Sequence, residues 1–483
     1  MTQTILSIIF LVVTAQASGQ DKAELVASRL IQDSSFEIVR SEARTQPFPA
    51  RPSDVKEIHI TEDGVYTIGY NSHTYPKETA YSAFSFEKTL KCRLPKGTYT
   101  MPKKIRNSAY FGFIDKDGLQ DDRVTVSVFE HGRMEYKYGI NPGAAFKKHS
   151  YIEWHYADGA TLAGLRQYAE ASGNKEILRY IEKVVKFNMD NMPLFRSQYE
   201  SGSARTQNYR LFRAAMLDDT SGPALPYVEA AVSGDARLRS LSDAIADYVY
   251  KTQYRLPDGS WVRAEPKWTV WCDDMFMGGA FLARYYDLTG DTLHLKEAAA
   301  QAMRYRDHLF DEAAGLMYHA WNDTESRHLG AHWGRANGWY LWAVSDILLR
   351  MDESAPEFSS LLEIHNRLLK SIVGYQSGSG LWHQVLDHPE TYEESSASCA
   401  FVFALARAVR KGWLPQEYRQ YAVKGWKAIE GRISDDGRLS GICRSMSVQD
   451  SVEGYNSRET ADNDPRGLGL FFMAAAEMKL LNQ

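Results

Sequence analysis

The chain has 483 residues, 44% of them hydrophobic and 24% charged, with a formal net charge of −5. That length allows two or three domains, and the balance is that of a globular protein. The acidic balance and the lack of a long basic run argue against a nucleic-acid binder, whose footprint is normally a basic face.

Residues 5–15 form an apolar run that is too short to span a bilayer. Ala15-Gln16-Ala17 fits the small-x-small cleavage pattern of a secretory signal, although no Lys or Arg precedes the run. Residues 1–20 are therefore expected to be a signal peptide, and the protein to be secreted or periplasmic. No Cys follows the run, which gives no sign of a lipid anchor, and no other stretch reads as a membrane span.

Residues 21–148 read as a small β-rich domain, a sandwich by texture, whose role is not legible. Extended runs flank Asp63-Gly64, Asp117-Gly118 and His131-Gly132. Such pairs between β-prone runs predict hairpins.

From about Tyr151 the texture changes to long apolar-periodic segments separated by Gly-rich loops. One loop type recurs as Gly259-Ser260-Trp261, Gly315-Leu316-Met317, Gly380-Leu381-Trp382 and Gly437-Arg438-Leu439, at glycine intervals of 56, 65 and 57 residues. A second series opens helices at Gly159, Gly222, Gly278, Gly338, Ala400 and Gly467, at intervals of 63, 56, 60, 62 and 67. About 60 residues hold two helices and two connections at usual lengths. Residues 149–483 thus predict a mainly α domain of six helical hairpins, closed into an (α/α)6 barrel, with an open solenoid as the alternative. In the barrel, the Gly-x-aromatic loops are expected at one mouth, with Trp261, Met317 and Trp382 around one cavity.

The unusual polar residues fall on the same loops: Asp218 and Asp219, Trp271 with Asp273 and Asp274, His319, Trp333 with Arg335 and Trp339, and Trp382 with His383. Singly, each has an ordinary reading. An Asp before a helix is often a cap, and a lone His is more often structural than catalytic. Five adjacent loops that carry catalytic-type side chains, four of them beside an aromatic, point instead to one pocket. No HExxH, no paired Cys or His at ligand spacing and no phosphate loop occurs, so no metal or cofactor is expected. The four cysteines match neither a zinc motif nor a dense disulfide frame, and Cys272 reads as a small buried hydrophobe. Carboxylates with aromatic walls suggest acid/base work on a sugar.

The strings WCDDMFMGGAFLARYYDLTGD, GLMYHAWND, HWGRANGWYLWAVSDIL and the segment from Gly380 to Leu414 resemble the unsaturated rhamnogalacturonyl hydrolases of glycoside hydrolase family 105, and more distantly the unsaturated glucuronyl hydrolases of family 88. The likeness covers about two-thirds of the chain, from Tyr151 onward, and its most specific element is W-x-R-x-N-G-W, Trp333 to Trp339. The resemblance implies an (α/α)6 barrel acting on the 4,5-unsaturated uronic acid at the non-reducing end of lyase-generated oligosaccharides. It implies Asp273 as acid/base catalyst, His319 as a pocket histidine and Arg335, Trp333 and Trp339 as substrate contacts. A further pocket aspartate matches Asp219, or Asp218 by a one-residue shift. Members of the rhamnogalacturonan type can carry a histidine nine residues before the Trp271 position; here that position is Val262, followed by Arg263.

In this chemistry, protonation of C4 of the vinyl ether develops positive charge at C5, where water adds. A carboxylic acid that donates near neutral pH needs a raised pKa, which walls such as Trp271, Met275 and Phe276 are expected to supply. Asp274 is expected to cap or support, and Arg335 to pair with the substrate carboxylate. An ordinary inverting glycosidase using Asp219 and Asp273, and a non-catalytic glycan-binding protein, remain the alternatives.

Overall fold

The computed structural model describes residues 21–36, 55–71, 86–100, 108, 110–118, 121, 123–130, 134–138, 151–200, 208–263 and 268–483. The expected signal peptide lies outside the described residues. Helix α1 is Lys22–Asp33. The later helices are α2 Tyr156–Ser172, α3 Lys175–Glu200, α4 Tyr209–Arg213, α5 Leu225–Ala231, α6 Ala236–Asp247 and α7 Phe281–Thr289. They continue as α8 Leu293–Leu309, α9 Gly334–Arg350, α10 Pro356–Gly374, α11 Ser395–Arg410, α12 Arg419–Glu430, α13 Val452–Asn456 and α14 Pro465–Leu481.

Helices α2, α5, α7, α9, α11 and α14 touch in a closed cycle, with α14 returning to α2. That return contact excludes the open solenoid. The cycle closes tightly because small residues face one another: a Cβ on Gly164 of α2 would strike the backbone of Gly469 of α14, and one on Gly338 would strike the Ala400 methyl. Helices α3, α6, α8, α10 and α12 each bridge two neighbours of this ring from outside.

The remaining outer position is taken by α1. Its Ala23, Val26, Ala27 and Leu30 join the helical core, Asp21 pairs with Lys479 of α14, and Asn174 donates to Glu24. Residues 22–33 thus pack with the helices rather than with the strands that follow. A 12-residue helix with one apolar face needs a partner surface, and the ring supplies it.

The inner helices also contribute one buried or half-buried charge each. Arg166 faces Glu229 at 3.1 Å; Glu229 meets Arg284 at 2.6 Å; Arg284 meets Asp346 at 2.6 Å; Asp346 meets Arg407 at 2.8 Å; and Arg407 meets Glu477 at 2.6 Å. Signs alternate from α2 to α14.

Between residues 55 and 138 the chain forms two sheets. One has strand order Gly97–Tyr99, Val55–Ile60, Val124–Glu130, Met134–Tyr138, and the other Lys88–Leu94, Gly64–Asn71, Tyr110–Ile114. Ile58, Ile60, Val124 and Val126 of the first share a core with Tyr66, Ile68, Phe111 and Phe113 of the second. Only the His131-Gly132 expectation corresponds to paired strands, in register Glu130 with Met134. The strands flanking Asp63-Gly64 and Asp117-Gly118 lie in different sheets, so those turns carry the chain across the core instead of closing hairpins.

The four recurring loop glycines, Gly259, Gly315, Gly380 and Gly437, all have φ between 70° and 103°. That left-handed backbone favours glycine, which explains the recurrence. The third residue of each loop is buried. Trp261 wedges against Gly278 of the inner layer, and its backbone N–H donates to Gln301 of α8. Trp382 packs on Phe401 of α11 and donates its indole N–H to Ile372 O of α10. These side chains fill the gap between inner and outer helices. This corrects the expectation that Trp261, Met317 and Trp382 surround a cavity.

Candidate active site

Trp271 ends a short strand, Thr269–Trp271, that pairs with Ala320–Asn322. The next residues turn into a π-helical stretch, Phe276–Ala280, which runs on as α7. Single π turns recur at functional sites. Asp273 sits in the turn just ahead of that stretch, its backbone oxygen accepting from Phe276 and Met277. The strand pairing brings His319, one residue before Ala320, alongside: the Cys272 N–H donates to His319 O.

Asp273 is 9% exposed, and its Oδ2 lies 3.4 Å from His319 Nε2. Neither atom has a completed hydrogen bond. His319 has no exposed surface. Trp333 tilts against its ring at 4.6 Å, Trp271 meets it edge-on at 5.3 Å, and Tyr455 Oη lies 2.7 Å from Nδ1. A fully covered imidazole supports Asp273 from behind, so the pocket histidine expected at His319 reaches the site through Asp273.

Asp274 and Asp218 share one guanidinium. Arg263 grips Asp274 with two bonds, 2.9 and 2.6 Å, and donates to Asp218 at 2.9 Å. The same guanidinium lies 4.2 Å from the centre of the Trp271 ring. Burial pushes the Asp218 carboxyl up to about 6, against Arg263 and with Asp274 and Asp219 reinforcing it. Asp274 is also raised by burial, with Arg263 opposing. Asp219 is different: fully buried, it takes two bonds from Arg213 at 2.8 and 2.5 Å and one from the Ala215 N–H at 3.0 Å. Asp218 is therefore the member of the pair joined to the Asp273–Asp274 cluster, and Asp219 locks the loop below it.

Burial also pushes the Asp273 carboxyl up, but His319, Arg263 and Arg335 overrule it, and its pKa lies below the usual carboxylate range. The expectation of a raised pKa looked only at the apolar neighbours in sequence; cations from two other segments reverse the sign.

Arg335, on the first turn of α9, is buried and stacks 4.7 Å from the Trp333 ring. Its guanidinium donates to Ser396 Oγ at 3.2 Å, Cys443 O at 2.5 Å and Arg444 O at 2.8 Å. It thus pins the segment that carries Tyr455 in addition to charging the pocket. Trp339 lies inside the ring against Phe276 at 4.5 Å, with Tyr156 edge-on at 6.4 Å. His383 spends Nδ1 on Thr391 O at 2.5 Å, and Trp382 beside it is buried between α10 and α11. Both were expected to share the one pocket, and the structure gives each of them a local structural partner.

Three residues of the cluster were not singled out from sequence as site residues. Arg263 was visible as the neighbour of Val262, and two adjacent acidic pairs called for a cation. Tyr455 and Tyr156 carried no motif. No group of three or more His, Cys, Asp or Glu able to hold a metal occurs among the described residues. All four cysteines are free thiols, and burial pushes the Cys272 thiol well up.

The sequence profile of Glycosyl Hydrolase Family 88 matches residues 140–481. Unsaturated rhamnogalacturonyl hydrolase YesR of Bacillus subtilis (strain 168) is 27% identical over 328 residues, 66% of this chain and 89% of that protein. An unsaturated 3S-rhamnoglycuronyl hydrolase of Alteromonas sp. (strain LOR) is 24% identical over 333 residues, 66% of this chain and 76% of that protein. Among solved structures, a family 105 glycoside hydrolase from C. acetobutylicum ATCC 824 superposes with a TM-score of 0.60 at 24% identity, over 67% of this chain and 93% of that one.

Proposed function

Because the chain belongs to Glycosyl Hydrolase Family 88 and is a glycoside hydrolase, we propose that it works as the hydrolases of family 105 do, removing the 4,5-unsaturated uronic acid from the non-reducing end of lyase-generated oligosaccharides. The ring and its outer helices are read as an (α/α)6 barrel, and residues 55–138 as a separate β-rich domain. The observation that carries the activity is Asp273 itself. It is a slightly exposed carboxylate in the turn that leads into the π-helical stretch, with Oδ2 lacking a completed hydrogen bond and with His319, Arg263 and Arg335 acting on its charge.

In this reading, protonated Asp273 gives its proton to C4 of the C4=C5 bond. Water adds to C5 as positive charge develops there, and the Asp273 carboxylate takes a proton from that water. The resulting hemiketal opens and releases the neighbouring sugar. Arg335 and Arg263 supply positive charge for the uronate and for the acids around it. An anionic substrate offsets the cations that depress Asp273, so its proton affinity rises when substrate binds. The two-carboxylate alternative loses support from Asp219, which is enclosed and paired with Arg213.

The N-terminal segment supports export, to the periplasm or the medium; N-terminal sequencing of exported protein that begins near residues 18–21 is the expected result. Activity is tested by incubating the protein with unsaturated oligosaccharides from a panel of lyases. Loss of the ultraviolet absorbance of the conjugated double bond is expected for at least one linkage. Unchanged absorbance with cleavage of saturated oligosaccharides would overturn the assignment.

A further inference from the structure

Tyr455 is buried, on the short helix α13, yet its hydroxyl reaches the back of the candidate active site. Its oxygen lies 2.7 Å from His319 Nδ1 and accepts from the Gln449 N–H at 3.4 Å. A phenol can accept such a bond and still has its one proton to donate. A carboxylate oxygen can only accept, so an imidazole set between Asp273 Oδ2 and the phenol turns its N–H to the carboxylate and its lone pair to the phenol proton. Neutral His319 must then accept at Nδ1 and carry its own proton on Nε2, the nitrogen that faces Asp273 Oδ2 at 3.4 Å.

The surroundings hold this arrangement in place. Trp333 and Trp271 pack on the imidazole, and His319 is fully buried. Gly330, at φ 77°, leaves room for the hydroxyl, which a Cβ there would strike. The segment ahead of Tyr455 is fastened by Arg335 through Cys443 O and Arg444 O. His319 Nε2 and Asp273 Oδ2 are both otherwise unsatisfied, so a shift of a few tenths of an ångström completes a bond that satisfies each.

We propose that Tyr455 is a positioning residue that fixes the tautomer of His319 so that its Nε2–H holds Asp273 Oδ2, leaving Oδ1 to exchange protons with substrate and water. The proposal deepens the acid/base role given to Asp273 and rests on it. The groups acting on Asp273 are Asp274 beside it, Arg263 from the preceding hairpin, His319, Arg335 of α9, Tyr156 of α2 and Tyr455 itself. A change in its pH response is therefore compared with the same surroundings in every variant.

The test uses the full-length protein with Tyr455→Phe, which keeps the ring and removes the hydroxyl. Nitrogen-15 NMR of histidine-labelled protein, with the His319 signal identified by its loss in His319→Gln, reads the tautomer directly. Wild type is expected to show Nε2–H, and Tyr455→Phe a mixture or Nδ1–H. On an unsaturated substrate, kcat is expected to fall about tenfold to a hundredfold with KM within about twofold, as for loss of an outer partner of a positioned histidine. The pH profile of kcat is expected to move upward as Asp273 loses part of its support. His319→Gln, whose amide can donate to Asp273, is expected to retain more activity than His319→Leu, and adding Tyr455→Phe to His319→Gln is expected to change nothing further. Nδ1–H in the wild type, or an unchanged tautomer, kcat and pH profile in Tyr455→Phe, overturns the proposal. Should the wild type leave unsaturated uronides untouched, the functional assignment fails while the tautomer still decides the role of Tyr455.

Discussion

Replacing Asp346 with asparagine keeps the shape of the side chain and removes its charge. The residue is 2% exposed, and its Oδ2 accepts from Arg284 at 2.6 Å and from the Trp342 indole at 2.9 Å, while Oδ1 accepts from Arg407 at 2.8 Å. Both arginines are buried, so asparagine leaves two guanidiniums with one full counter-charge each, Glu229 and Glu477, and turns an amide N–H toward one of them. Breaking a buried ion pair by removing one partner costs roughly 3–5 kcal/mol. Asp346→Asn is expected at the upper part of that range, because two pairs lose their anion. Urea unfolding followed by tryptophan fluorescence, with circular dichroism as the second probe, measures it. Burial pushes the Asp346 carboxyl up, but Arg284, Arg407 and Arg350 hold it well below the usual range. A depressed pKa contributes stability above the unfolded value, about 3.9, and loses it as pH falls toward the folded value. The gap between wild type and Asp346→Asn is therefore expected to be full at pH 7 and to narrow only in strong acid. Replacing Arg284, Asp346 and Arg407 together with methionine and leucine is expected to cost less than Asp346→Asn alone. A loss below about 1 kcal/mol, or strictly additive losses in Arg284→Met with Asp346→Leu, would refute the alternating charges as a device that fixes the ring.

Asp273→Asn is expected to abolish turnover with the unfolding midpoint unchanged, whereas Asp274→Asn, which leaves Arg263 holding Asp218, is expected to retain far more turnover and to lower stability; equal kinetic losses would reassign the acid. The depressed pKa of Asp273 makes its protonated form scarce in the free enzyme, so the alkaline limb of kcat/KM is expected at lower pH than that of kcat, where bound uronate offsets the cations; coincident limbs would deny that coupling. Arg335→Lys is expected to raise KM for the free uronide about tenfold to a hundredfold, from the loss of a charge-assisted bond, and much less for its methyl ester; equal losses on both would leave Arg335 only its fastening role at Cys443 and Arg444.

The helical ring was legible because its signal is periodic. Glycines near 60 residues apart mark places where neighbouring helices touch, as Gly338 does at Ala400, and such a close approach tolerates few other residues. Pairing in the N-terminal sheets was not legible, since an Asp-Gly pair reports a turn and not the strand that lies beside it. Trp382 was misplaced for a related reason. The left-handed glycine before it shows that the chain reverses, and the same pattern serves an indole at a mouth or one wedged between helices. The site divides along the same line. Acids stand in adjacent pairs that sequence displays, but their roles are set by arginines elsewhere: Arg213 claims Asp219, and Arg263 claims Asp218 and Asp274. With those three acids engaged, Asp273 is the carboxylate of the four that no arginine grips, and its nearest polar neighbour is an imidazole. The distinction between structural and reactive acids in this fold is thus made by cation placement. Arg263 makes it most directly, because one guanidinium neutralises the acid beside Asp273 in sequence and the acid beside it in space.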